Sequence, residues 1–262
     1  HFFDGYRNDP ATALLALEAA LAGGADWLVL CDTNGGTLPH EVARITEEVA
    51  ATFPGAALGI HAHDDTGCAV ANTLAAVRAG ARQIQGTLGG LGERCGNADL
   101  SALLPTLILK EGFDCGGAPE ALAELTPMTR RLDEILARAP DPRAAYVGRD
   151  AFTHKGGLHA SAVARDPSLY EHVAPERVGN RRDVLVSDQA GRANLRSRLD
   201  TIGCALDEAA LTRLLDEVKH REARGWTYEG AGASFELLAR RAAGEGMTFF
   251  RPVSFRVITE RR

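Results

Sequence analysis

The chain lacks a long apolar run. Its best candidate, Ala11 to Leu30, is broken by Glu18, Gly23-Gly24 and Asp26. A bilayer helix needs roughly 20 consecutive apolar residues, so no membrane span is predicted. No basic stretch followed by an apolar core opens the sequence, so no secretory leader is legible in it. Cysteine is sparse: Cys31, Cys68, Cys95, Cys115 and Cys204 form neither a C-x-x-C pair nor a disulfide-rich pattern. Reduced thiols in a cytoplasmic protein are the expectation. Positive charge is in deficit, with 29 Lys and Arg against 35 Asp and Glu, a net charge of −6. That excludes a broad nucleic-acid footprint. A starting methionine is also missing. His1-Phe2-Phe3-Asp4 reads as the stub of a strand, and Met247 to Glu260 as a strand pair only begun. A piece of a longer protein is expected.

What is present is 262 residues with 45% hydrophobic and 24% charged side chains, enough for one large soluble domain or a medium one with appendages. The stretch that organises it is Leu58-Gly59-Ile60-His61-Ala62-His63-Asp64-Asp65-Thr66-Gly67. On a strand His61 and His63 point to the same face while Ala62 points to the other. Two neutral imidazoles so spaced can share one metal ion. The same spacing also occurs in histidine pairs that only hydrogen-bond, so the neighbours must decide.

Residues 1 to about 112 repeat one pattern. A helix from near Pro10 carries Ala13, Leu14, Leu17 and Leu21 and stops at Gly23-Gly24, with proline in the first turn and glycine past the end. The apolar run Trp27 to Cys31 leads into Asp32-Thr33-Asn34-Gly35-Gly36. A helix follows over about Pro39 to Phe53, then a strand over Leu58 to His63 and a helix over Cys68 to Ala79. A strand over Gln83 to Leu88 and a helix over about Ala98 to Lys110 complete the series. Strands and helices alternating at this spacing are parallel βα units, and short all-apolar strands are covered on both faces. Counting the Phe2-Phe3 stub there are four units, half of a (β/α)8 barrel, with a small doubly wound sheet as the alternative. In both, chemistry sits beyond the carboxyl ends of the strands. Asp32 and Thr33, His61 and His63, and Gln85 and Thr87 all gather there.

The loop Gly89-Gly90-Leu91-Gly92-Glu93-Arg94-Cys95-Gly96-Asn97 invites a phosphate-cradle reading. It fails: no Lys-Ser or Lys-Thr follows, and Cys95 stands where G-x-G-x-x-G needs glycine. Close backbone approach at the sheet mouth, bringing Asn97 near the histidines, is the expected role, with Glu93 and Arg94 as an ion pair bracing the mouth. Beyond Gly112, Pro119 to Arg138 reads as one long amphipathic helix and Ala139-Pro140-Asp141-Pro142 as a linker. The stretch Phe152 to Ala162 carries His154 and His159, and Tyr170 follows eleven residues after His159. Residues 176–204 read as loop-rich, two helices are expected over about Asp207 to Arg224 and Ala233 to Ala243, and the tail 247–260 is β-type.

Three of these stretches together resemble the acyl-CoA-condensing metalloenzymes that include isopropylmalate, homocitrate and citramalate synthases. Gly59 to Asp65 resembles the family's H-x-H metal strand and Gly90 to Asn97 its G-x-G-E-R-x-G-N signature. His154-Lys155-Gly156-Gly157-Leu158-His159 resembles its catalytic histidine segment. The resemblance covers nearly the whole chain. Its citramalate branch is suggested by His1 to Tyr6, Leu30 to His40 and Gln85-Gly86-Thr87.

The resemblance implies a fold: the second half of a (β/α)8 TIM barrel (1–118), a linker helix and catalytic subdomain (119–175), a mainly α-helical subdomain (176–246), and the first strands of a truncated α/β regulatory domain (247–262). It implies roles as well. His61, His63 and Asn97 would hold a divalent Mn²⁺, Mg²⁺ or Zn²⁺, and Thr33 would bind the 2-oxoacid carboxylate. His159 and Tyr170 would act on acetyl-CoA, the co-substrate, in the other subunit of a homodimer with swapped subdomains. Pyruvate would be the oxoacid, giving citramalate on a route to isoleucine. The family's first-strand aspartate and its catalytic glutamate have no counterpart in this sequence, so the chain alone is expected to be inactive. Two other classes stay open: a lyase or aldolase on the same metal barrel, which leaves His159 and Tyr170 without a task, and a non-enzymatic binding or dimerisation module.

Overall fold

The computed structural model describes residues 1–154, 162–163, 165–184, 191–228, 230–245, 249, 251 and 253–260. They fall into two compact units, residues 1–151 with 173–181 and residues 152–172 with 182–262.

The first unit opens with helix α1 (Phe2–Asn8), not with a strand. Phe3 and Tyr6, one helical turn apart, are buried on one face, while Asp4 and Arg7 pair on the other. That i,i+3 pattern outweighs the β-propensity of the two phenylalanines, so the expected fourth βα unit is absent from these residues. Asp9 caps α2 (Pro10–Ala22), accepting from the Thr12 N–H. Then β1 (Leu28–Asp32), α3 (Pro39–Thr52), β2 (Leu58–Ala62), α4 (Ala69–Arg78), β3 (Gln83–Gln85) and α5 (Leu100–Leu109) alternate as the sequence predicts.

The three strands are parallel and lie in the order β1-β2-β3, with Leu30, Ile60 and Ile84 in register across the sheet. Each strand lies beside the next in sequence, which is barrel winding. A doubly wound sheet turns back on itself at a switch point. Val42, Ile45 and Val49 of α3 pack on Leu28, Leu30, Leu58 and Ile60 together with Phe3, forming one core beneath the carboxyl ends of the strands.

The stretch expected as one helix from Pro119 divides into a 3₁₀ turn (Pro119–Glu124) and α6 (Leu125–Ile135). A proline opens that turn, and a second, Pro127, lies in the first turn of α6.

Among its described residues the second unit has a short parallel pair, β4 (Thr153–His154) and β5 (Asp183–Val184), and the helices α7 (Arg192–Thr201), α8 (Glu208–Ala223) and α9 (Gly232–Ala242). Helix α7 lies in the span expected as loop. It contributes Leu195 and Leu199 to a core with Leu211, Leu214, Val218 and Phe235, and only this tertiary burial fixes it, because its own sequence is mostly polar. The described tail residues form no strand, and Val253, Phe255 and Val257 are exposed. Extended residues become a strand only when a neighbour supplies hydrogen bonds, and none does among the described residues. No helix of the described residues is long and apolar enough to cross a membrane.

Candidate metal centre

The site lies at the carboxyl end of β2. His61 and His63 flank Ala62, whose side chain is wholly buried in the packing against α4, so both imidazoles face the opposite side. Their Nε2 atoms stand 3.2 Å apart. Two donors each about 2.1 Å from one ion, at angles near tetrahedral, stand about 3–3.4 Å apart, so the pair has the span of a shared ion. Burial, and then the neighbouring His63, pushes the His61 pKa down, which favours the neutral, ligating imidazole. His61 Nδ1 is buried without a partner.

Asn97 reaches this place through backbone pairing. The Asp64 N–H donates to the Gly96 carbonyl at 2.9 Å and the Ala98 N–H to the Ala62 carbonyl at 3.0 Å, while His63 and Asn97 form an antiparallel bridge. The Asn97 amide donates to the Leu91 carbonyl at 2.7 Å, and its Oδ1 is buried with no partner. Two converging nitrogens, and an unpaired buried oxygen on the residue bridged to His63, make a candidate donor set for a divalent ion. Among the described residues no group of three His, Cys, Asp or Glu could hold an ion, so the candidate for a third donor is the Asn97 amide.

The loop behind the histidines is braced differently from the expectation. Arg94, in a left-handed conformation (φ 54°), forks onto Asp65 at 2.7 and 2.9 Å. It also donates to the Thr33 carbonyl at 2.7 Å and stands 3.1 Å from His63 Nδ1. The hydrogen bonds of Arg94 hold the Asp65 carboxyl below its ordinary value, outweighing the upward push of burial, and the charge of Arg94 adds a lesser pull. The expected Glu93–Arg94 brace is only a 4.0 Å contact with Glu93 87% exposed; Asp65 takes that place because its carboxylate faces the guanidinium as a fork. Arg94 thus ties the ends of β1 and β2 to the glycine-rich loop. Asp65 was visible in the H-x-H motif, but nothing in its spacing named Arg94 as its partner.

Other residues at the strand ends are structural. Asp32 is buried and accepts from the Thr37 N–H and hydroxyl, closing the turn after β1. Asp64 accepts from the Ala69 N–H at the start of α4, and the Thr87 hydroxyl donates to the Leu91 carbonyl. Thr33 is half-buried at the rim beside Arg94. The structure therefore brings together His61, His63, Asn97 and Thr33. Tyr170 lies in the second unit, and His159 lies outside the described residues.

A parallel sheet wound in sequence order, with a pair of histidines at its carboxyl end, has the winding of a (β/α) barrel. Residues 2–122 match the HMGL-like family model, and residues 146–225 match the homocitrate synthase post-HMGL domain-like model. The chain is 51% identical over its whole length to an (R)-citramalate synthase of Aquifex aeolicus, covering 50% of that protein. It is 50% identical over 98% of its length to one of Synechocystis, covering 48% of it. A solved HMG-CoA lyase of Acenitobacter baumannii, in complex with coenzyme A and 3-methylmalate, aligns over 55% of the chain and 48% of its own at 28% identity and a TM-score of 0.45. The chain spans about half the length of the curated relatives it matches. In both parts that the family models match, it resembles the isopropylmalate, homocitrate and citramalate synthase family.

Proposed function

We propose that the protein to which this chain belongs condenses acetyl-CoA with a 2-oxoacid, pyruvate above others, and water to give citramalate and free CoA. The observation that carries the reading is the 3.2 Å convergence of His61 and His63 Nε2, with Asn97, whose Oδ1 is unpaired, bridged to His63. The names of the curated relatives support the substrate pair.

His61, His63 and Asn97 would hold a divalent ion, Mn²⁺, Mg²⁺ or Zn²⁺, all compatible with nitrogen and oxygen donors. Bound there, such an ion would supply Lewis acidity to the oxoacid carbonyl. For both Nε2 lone pairs to serve, the ring protons sit on Nδ1; Arg94 can release His63 Nδ1 and keep Asp65 and the Thr33 carbonyl as partners. The Thr33 hydroxyl orients the oxoacid carboxylate. His159 and Tyr170 act on acetyl-CoA as its methyl loses a proton, in a cytoplasmic homodimer whose second units serve each other's barrels. The carbon so formed attacks the ketone, and hydrolysis of the thioester makes the step irreversible. Proton transfer of this kind contributes about 10²–10⁴-fold.

The test is CoA release by the full-length protein with pyruvate, 2-oxoisovalerate and 2-oxoglutarate. Pyruvate is expected fastest, because a pocket sized for a methyl group rejects bulkier side chains. Preference for either of the others moves the assignment to the isopropylmalate or homocitrate branch. Cleavage of a 3-hydroxyacyl-CoA without condensation moves it to a lyase.

A further inference from the structure

Glu171 directly follows Tyr170, and its carboxylate is 2% exposed. It gathers groups from both sides of its position in the chain. Arg182 donates from Nε to Oε1 at 2.6 Å and from Nη2 to Oε2, and His154 Nε2 lies 3.1 Å from Oε1. His154 ends β4, Arg182 immediately precedes β5, and these two strands pair in parallel. One carboxylate therefore staples the strand pair to the segment that carries Tyr170.

That segment is rigid by its own chemistry. Asp166 caps a 3₁₀ turn (Pro167–Leu169), accepting from the Ser168 N–H at 2.9 Å and its hydroxyl at 2.7 Å. The N–H groups of Tyr170 and Glu171 both donate to the Pro167 carbonyl, at 3.1 and 2.9 Å. On the far side His172 stacks on the buried ring of Phe152 at 6.1 Å. Tyr170 is thus fixed from both flanks while its own side remains 45% exposed.

A buried charge cluster contributes little net stability but holds a narrow geometry, because each partner is lost at high cost if it moves. Burial alone would push the Glu171 carboxyl up, but the hydrogen bonds and charges of Arg182 and His154 outweigh it, and its pKa is lowered. The clamp is therefore ionised wherever ordinary carboxyls are.

We propose that Glu171 is a positioning residue of the condensation: by binding His154 and Arg182 together it sets the placement of Tyr170 for work on acetyl-CoA. This rests on the functional reading above.

The test uses the full-length protein with Glu171→Gln, Arg182→Gln, the double variant, and Arg182→Lys, which keeps the charge but loses the fork. CoA release is measured well below each melting midpoint, with metal content checked. For Glu171→Gln and Arg182→Gln, kcat should fall about 10- to 100-fold, the scale of an ångström-level misplacement. KM for the 2-oxoacid should stay within about 2-fold, because that substrate is held at the barrel. The double variant should be no worse than the worse single, and Arg182→Lys should lie between wild type and Arg182→Gln. A merely structural role would instead lower the folded fraction and leave kcat per folded molecule unchanged, which would overturn the proposal. Should the glutamine variants not fold, full kcat in Arg182→Lys overturns it. Failure of wild type to release CoA with any 2-oxoacid removes the functional reading and this inference with it, whereas an active wild type with undiminished variants removes the clamp alone.

Discussion

The turn that delivers Asn97 depends on Gly96, and its replacement can be weighed against a control. Gly96 has φ +95° and Gly24 has φ +91°, so alanine suffers similar backbone strain at both, about 1–2 kcal/mol. The surroundings differ. A Cβ on Gly24 meets nothing within 4 Å, whereas one on Gly96 overlaps the Gly90 carbonyl oxygen. That oxygen accepts from the Asn97 N–H at 3.0 Å, and the Gly96 carbonyl accepts from the Asp64 N–H at 2.9 Å. Relieving the overlap breaks both bonds, each about 0.5–1.5 kcal/mol. Gly24→Ala should therefore cost about 1–2 kcal/mol and Gly96→Ala about 2–5 kcal/mol in urea unfolding. Divalent-ion affinity, measured by calorimetric titration of the full-length protein, should fall only in Gly96→Ala, because only there does Asn97 move. Equal destabilisation in the two variants, or unchanged ion affinity in Gly96→Ala, would show that this turn does not place Asn97.

Asp65→Asn, which removes the charged partner of Arg94 behind His63, should lower ion affinity or turnover about 10- to 100-fold, while Glu93→Gln should leave both unchanged; metal retention after dialysis reads the difference. Ile60 is fully buried at the centre of the sheet, so Ile60→Ala should cost about 2–5 kcal/mol in the same urea assay. The folded pKa of Glu171 lies below its ordinary 4.5, so its contribution is present above that pH and lost as pH falls through the folded value. Thermal midpoints should therefore fall more steeply below about pH 4.5 in wild type than in Glu171→Gln, and parallel curves would contradict the clamp.

Much of the barrel was legible because its signal is periodic. Val42, Ile45 and Val49 mark one helix face, and Gly23-Gly24 and Gly80 close helices before the next strand. The histidine pair was legible for the same reason, since strand geometry alone puts His61 and His63 on one side. The misses came where tertiary partners decide. Phe2-Phe3 reads as β, yet Phe3 and Tyr6 find a buried helical face; α7 is polar in sequence and is fixed by α8. Arg94 chose Asp65, 29 residues away, over its neighbour Glu93, and Glu171 chose Arg182 and His154. No spacing rule encodes such pairings, because the loops between the partners set the distances.

If the paired histidines of β2 hold the ion that serves a condensation, turnover must depend on each of them. CoA release from acetyl-CoA and pyruvate by the full-length protein, wild type against His63→Ala with both shown to be folded, tests it most directly. Wild type should release CoA in a metal-dependent way and His63→Ala at less than about 1% of that rate, since a lost ligand weakens both ion binding and carbonyl polarisation. Release that survives His63→Ala at the normal rate and metal content would contradict it.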